Sequence, residues 1–350
     1  MTPDRLRVVV AAPLSDEDAA LIVEIEPRID LVREPSLLPP MRHAADFSGD
    51  PSFRRSAEQQ QRFDELIDGA DALYGIPDVD PAALARAVRA NPSLAWVQTM
   101  AAGGGAQVRA AGLTDDELQR VTVTTSAGVH GGPLAEFAVF GVFAGAKDLP
   151  RLTAQKSDRE WSGRWAMRQV SDLTVLVLGL GGIGTETTRA LVALGADVIA
   201  FHRSGDGVVD GARVEPLAHL GQHLPHADAV VVTLPGTSST EGMLDDEFFD
   251  AVKPGATIVN VGRGTVIDEA ALVRALESGQ VGFAALDVFA VEPLDASSPL
   301  WTHPAVVISP HTAALDPREE RRIAELFADN AARFLDGRAL RNVVDTVEFY

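Results

Sequence analysis

Cysteine is absent from all 350 residues. That excludes disulfides, a thiolate nucleophile and any cysteine-held metal centre. Lysine occurs only at positions 147, 156 and 253, so arginine carries almost all of the positive charge. Positive charge is itself scarce: 30 basic against 50 acidic residues leave a formal charge of −20. A surface of that sign repels nucleic acid and anionic membranes, and neither is expected as a partner. No apolar run reaches the ~18 residues a membrane span needs. The start, Met1-Thr2-Pro3-Asp4-Arg5, leads directly into an apolar strand without the charged and then apolar pattern of a secretory leader. A cytoplasmic location is the expectation.

What is present is enough for real cores. Hydrophobic residues make up 46% of the chain, and its length suits two domains. Strand and helix signals alternate over the first ~120 residues, which implies a parallel α/β sheet. Strands are predicted at 5–12, 29–33, 72–76 and 94–98, and helices at 16–26, 58–68 and 81–89. Residues 34–57 interrupt the pattern with four prolines and a glycine (35, 39, 40, 49 and 51). This reads as an inserted surface loop, with a lid or an oligomer contact as alternatives. A second alternation begins at Leu173, with six strands predicted at 173–178, 197–202, 228–234, 256–260, 281–286 and 305–308. An apolar helix is expected before it, from Pro133 to Ala146, and an amphipathic one after it, from Pro317 to Leu335.

The central signal lies at 175–184, Val-Leu-Val-Leu-Gly-Leu-Gly-Gly-Ile-Gly. An apolar strand ends in Gly179-x-Gly181-x-x-Gly184, and an amphipathic segment follows. That is the strand, glycine turn and helix of a dinucleotide site. Gly179 permits the tight turn, Gly181 admits a pyrophosphate, and Gly184 lets helix and strand pack closely. Gly182 and Ile183 open the helix, whose first amides would face the anion. This fingerprint sits mid-chain. The nucleotide domain, 124–314, is therefore expected as an insertion into the other domain, 1–123 with 315–350. The expected class is α/β, with a doubly wound Rossmann domain inserted into a flavodoxin-like α/β substrate domain. The ligand cleft is expected between the two.

Three polar motifs end later strands: Asn260-Val261-Gly262-Arg263-Gly264, Asp287 through Glu292-Pro293, and Ser309-Pro310-His311-Thr312-Ala313. The carboxyl rim of a parallel sheet is where such folds bind ligands. With these motifs the chain resembles the D-isomer-specific 2-hydroxyacid dehydrogenase family, whose members include glyoxylate/hydroxypyruvate reductases and phosphoglycerate dehydrogenases. Leu94-Ala-Trp96-Val97-Gln98, Pro133-Leu-Ala-Glu136-Phe137 and Leu234-Pro235-x-Thr237-x-x-Thr240 add to the resemblance. The family implies the split domain arrangement and a homodimer.

Carried over by position, Arg263, Glu292 and His311 match the catalytic set. His311 is then the general acid for a 2-oxo acid, since an imidazole ordinarily titrates at ~6.5, near working pH. Glu292 orients the ring, and Arg263 pairs with the substrate carboxylate. The resemblance also implies cofactor contacts at Leu234, Pro235, Thr240, Val261, Gly262 and Ala313, with Asp287 near the nicotinamide amide. Ala101, Ala102, Gly103 and Gly104 match the loop whose backbone amides bind the substrate carboxylate. The run Gly103-Gly104-Gly105 departs from the family pattern, and a flexible hinge is the other reading. Trp301 either lines the substrate pocket or packs its loop.

The second strand of the nucleotide domain ends in His202-Arg203-Ser204. An NAD site wants an acid here; His202 stands in its place, 18 residues after Gly184. Arg203 and Ser204 suit a 2′-phosphate, so NADP(H) is expected to be preferred, with NAD(H) possible. The leading function is NADPH-dependent reduction of a glyoxylate- or hydroxypyruvate-type 2-oxo acid to the D-2-hydroxy acid. One alternative is an NAD-dependent enzyme of the phosphoglycerate dehydrogenase kind, although the chain stops at Tyr350, too early for its regulatory C-terminal domain. The other is a dinucleotide-sensing, corepressor-like binding protein. His219, His223 and His226 have metal-like spacing, but no carboxylate set completes a site, so no metal is expected.

Overall fold

The computed structural model describes residues 5–43, 45–347 and 349. The opening residues Met1–Asp4, used above to argue against a leader, lie outside them. The chain forms two compact units, residues 1–129 with 315–350, and residues 130–314.

The first unit holds strands β1 (Leu6–Val10), β2 (Ile29–Val32), β3 (Ala72–Tyr74), β4 (Trp96–Gln98) and β5 (Thr122–Thr124). They pair in the order β2-β1-β3-β4-β5, with every pairing parallel. This is the flavodoxin-like order. The returning C-terminal helix Glu319–Leu335 completes the core: Phe327 stacks on Trp96 at 4.6 Å between ring centroids and meets Tyr74 edge-on at 5.1 Å. β5 lies outside the strands expected from sequence. Its three residues, Thr-Val-Thr, carry too little apolar pattern to announce a strand.

The 34–57 segment is not a bare surface loop. Leu37, Leu38, Ala45 and Asp46 are buried. The Arg55 guanidinium lies 3.8 Å over the Phe63 ring and pairs with Asp78 at 2.8 Å.

The second unit has seven strands rather than the six expected: β6 (Thr174–Leu178), β7 (Asp197–His202), β8 (Arg213–Pro216), β9 (Ala229–Val232), β10 (Ala256–Asn260), β11 (Val281–Leu286) and β12 (Val306–Ile308). Their order is β12-β11-β10-β9-β6-β7-β8, again parallel throughout. From β8 inward this is the doubly wound dinucleotide order with one strand added at the β12 edge. The additional strand relative to expectation is β8, Arg-Val-Glu-Pro, a polar edge strand whose proline needs no partner on its outer side. Alternation decides the faces: Val175 and Val177 enter one core, Leu176 and Leu178 the other. The helix Gly131–Ala146 covers the first of these.

Candidate active site

Strand β6 is buried from Val175 to Leu178, so the chain leaves the sheet at a fixed point. Gly179 turns it with φ +102°, a region closed to most side chains. Gly181 then precedes the helix Gly182–Ala193. A Cβ on Gly184 would lie 1.8 Å from the Gly179 carbonyl oxygen, whereas one on Gly181 would meet nothing within 4 Å. The turn is therefore packed beneath and open above. No side chain caps the helix start, so its first amides remain available. At the end of β7, His202 Nδ1 lies 3.0 Å from Ser204 Oγ. Arg203 is exposed and has no ion-pair partner among the described residues.

The loop after β9 closes over the turn's flank. Thr233 Oγ1 donates to Leu178 O and Gly179 O, and Thr240 Oγ1 donates to Pro235 O at 2.6 Å. Leu234 and Val261 are buried, and a Cβ on Gly262 would come within 2.6 Å of Leu234 O. Asn260 braces the Arg263 loop. Its Oδ1 accepts Gly262 N at 3.0 Å, and its Nδ2 donates to Arg263 O at 3.1 Å. The Arg263 side chain turns back on its own loop, with Nη1 donating to Gly262 O at 2.8 Å.

His311 and Glu292 come together. With its proton placed on Nδ1, His311 donates to Glu292 Oε2 at 2.7 Å, and Glu292 Oε1 accepts Phe289 N at 3.0 Å. The two side chains are 50% and 36% exposed, so the ring is held on one edge and open on the other. The His311 backbone is left-handed, φ +53°. Asp287 keeps it there. Its buried carboxylate accepts Ser309 Oγ (2.6 Å), Thr312 N (3.0 Å) and Ala313 N (2.9 Å), and its carbonyl accepts His311 N (2.9 Å). Asp287 Oδ2 is buried without a hydrogen-bond partner among the described residues.

The Arg263 loop joins this group through its backbone: a Cβ on Gly264 would fall 1.8 Å from the Phe289 carbonyl carbon. Beside His311 and Glu292 lies a cavity of about 430 Å³ with Trp301 in its wall, the indole fixed by Nε1 donating to Asp295 O at 3.0 Å. Ala101, Ala102, Gly103 and Gly104 belong to the first unit. There Thr99 Oγ1 donates to Ala101 O at 2.9 Å, and the run of glycines turns into the helix Gly105–Ala110.

Sequence reasoning missed Asn260 and Ser309, which shape the two loops. Asn260 stands two residues before Gly262, the spacing of a side chain that bonds local backbone, whereas the Ser309 hydroxyl reaches Asp287 and has no such local signal. It also missed Glu215. This carboxylate lies 3.2 Å from His219 Nδ1 and 3.3 Å from His223 Nε2, a single acid beside these histidines. His223 foremost, and His219 with it, hold the Glu215 carboxyl below its ordinary value. Among the described residues no group of three such side chains could hold a metal ion, and no helix is long and apolar enough to cross a membrane.

Residues 139–313 match the family model of the D-isomer specific 2-hydroxyacid dehydrogenase NAD binding domain. The D-3-phosphoglycerate dehydrogenase of Mycobacterium bovis is 34% identical over 216 residues, 60% of this chain and 40% of that protein. That of Archaeoglobus fulgidus is 30% identical over 230 residues, 64% of this chain and 43% of that protein. The chain thus spans less than half the length of these curated relatives. Among solved structures, a D-isomer specific 2-hydroxyacid dehydrogenase from Xanthobacter autotrophicus in complex with NADPH and MES is similar at TM-score 0.78. It is 28% identical, with 99% of this chain and 100% of that one covered. An NADPH-dependent glyoxylate/hydroxypyruvate reductase from Sinorhizobium meliloti in complex with NADP and sulfate is similar at TM-score 0.77 and 25% identity, covering 99% of this chain and 100% of that one.

Proposed function

The chain belongs to the D-isomer specific 2-hydroxyacid dehydrogenase family, and from that premise we propose that it reduces a 2-oxo acid of the glyoxylate or hydroxypyruvate type to the D-2-hydroxy acid, with NADPH preferred over NADH. The observation that carries this reading is the 2.7 Å contact of His311 with Glu292, on loops at the carboxyl rim of the same sheet whose glycine turn stands open above Gly181.

The residues fit a dinucleotide. The space above Gly181 and the uncapped amides of the helix Gly182–Ala193 suit a pyrophosphate. The buried, unpartnered Asp287 Oδ2 suits an amide donor. Leu234, Pro235, Thr240, Val261, Gly262 and Ala313 border the same rim. Arg203, exposed and unpaired among the described residues, together with His202 and Ser204, would hold a 2′-phosphate. NADPH when bound supplies the hydride for C2. His311 gives its outer ring proton to the oxygen formed there, while Glu292 keeps the ring oriented. Arg263, released from Gly262 O, would pair with the substrate carboxylate. In this reading 124–314 holds the nucleotide, and 1–123 with 315–350 holds the substrate.

The NADP-bound relatives support the cofactor assignment. Similarity to D-3-phosphoglycerate dehydrogenases favours a second reading, NAD-dependent oxidation of a 2-hydroxy acid. A cytoplasmic homodimer completes the proposal. Light scattering on the purified chain tests the dimer.

The test of function is kcat/KM for glyoxylate and hydroxypyruvate with each cofactor. NADPH should be favoured. A tenfold advantage for NADH overturns the cofactor choice. Tight NADPH binding with no turnover on any 2-oxo acid points instead to a dinucleotide sensor.

A further inference from the structure

The cavity beside His311 has a chemistry that the proposed reaction does not require. Its walls are Phe289, Pro293, Leu294, Trp301, Ile308 and Pro310, and its only ionisable lining groups are Glu292 and His311 themselves. At about 430 Å³ it is small-molecule sized. The walls are fixed by the interactions that fix the dyad. Phe289 is buried, its amide bound by Glu292 and its backbone pressed against Gly264. Ile308 closes strand β12, and Pro310 adjoins His311. Trp301, though 48% exposed, is tethered through its indole nitrogen to Asp295 O.

Glyoxylate carries only hydrogen on the carbonyl carbon and leaves such a space empty. A hydroxymethyl group would enter it among apolar side chains with only the dyad as a polar side-chain partner, and buried polar groups without partners are disfavoured. A second carboxylate would meet Glu292 and no arginine or lysine. We propose that this cavity takes the side chain of the 2-oxo acid and makes branched aliphatic and aromatic 2-oxo acids better substrates than glyoxylate. The proposal rests on the reductase reading above and shifts its substrate class from small polar to bulkier apolar 2-oxo acids.

The experiment is kcat/KM with NADPH along a series: glyoxylate, pyruvate, 4-methyl-2-oxopentanoate, phenylpyruvate and 2-oxoglutarate. Each methylene buried in the cavity should raise the value by about fourfold. The branched and aromatic acids should therefore exceed glyoxylate by at least about tenfold, and 2-oxoglutarate should fall below pyruvate. Trp301→Ala should lower the phenylpyruvate-to-pyruvate ratio by about fivefold, a comparison made within one variant and so independent of how much of it is folded. A flat or falling series, or an unchanged ratio in Trp301→Ala, overturns the side-chain assignment while leaving the reductase standing. No turnover on any member overturns the reductase reading and this proposal with it.

Discussion

One carboxylate does two things in this site. Glu292 Oε2 accepts a hydrogen bond from His311 Nδ1, with the proton placed there, and Oε1 accepts one from the amide of Phe289 in its own loop. The ring is thereby presented by its other nitrogen. Replacing His311 with Asn should lower kcat by at least about a hundredfold while the dissociation constant for NADPH changes little. Single-turnover rates alongside fluorescence titration would separate the two; an unchanged kcat removes His311 as the acid. At this scale residue type was the legible part: an imidazole, a carboxylate and a guanidinium after successive strands announce themselves. What stayed hidden was direction. Nothing in Gly262-Arg263-Gly264 says that the guanidinium folds onto Gly262 O. Nor does Ser309 declare that its hydroxyl binds Asp287, a residue 22 positions away. The second is a tertiary fact, set by strands β11 and β12 lying side by side.

Elements were legible in proportion to their apolar pattern. β6 and β11, whose residues alternate between two cores, could be read directly, as could the long helix after Glu319. β5 and β8 could not, because three or four residues with a single valine among them become a strand only when a neighbour supplies the ladder. The 34–57 segment misled in another way. Its prolines signal a loop, but its burial comes from specific charges. The Arg42 guanidinium holds the Asp46 carboxyl down at about 2 against an ordinary 3.8, with the backbone amides of Arg42 and Gly49 helping and burial opposing. A carboxyl depressed on folding adds stability that is complete above its unfolded value and is lost as pH falls through the folded one. The window is therefore from about pH 4 down to about 2. Arg42 is half exposed, so solvent screens the pair, and about 1 kcal/mol is expected. Asp46→Asn should melt below the parent at pH 6, and the gap should close near pH 2. Calorimetry at a series of pH values checks it; a gap independent of pH rules out this ion pair as the cause.

For the molecule as a whole, a ligand that binds only the folded chain must raise its melting temperature. NADPH at about a hundred times its dissociation constant should add about 2.7 kcal/mol. Arg203→Ala should lose most of that gain with NADPH and keep whatever NADH provides. Thermal scans with each cofactor decide it, and equal losses for both would remove Arg203 from the 2′-phosphate. One further consequence follows from the left-handed backbone of His311. Holding a side chain there costs about 1–3 kcal/mol, more than the roughly 0.5–1 kcal/mol of chain freedom that glycine would add to the unfolded state. A campaign that selects only for heat resistance should accordingly enrich His311→Gly, yielding a hardier protein with its chemistry gone. Durability and turnover compete for one position, and the imidazole is kept there against the backbone's own preference.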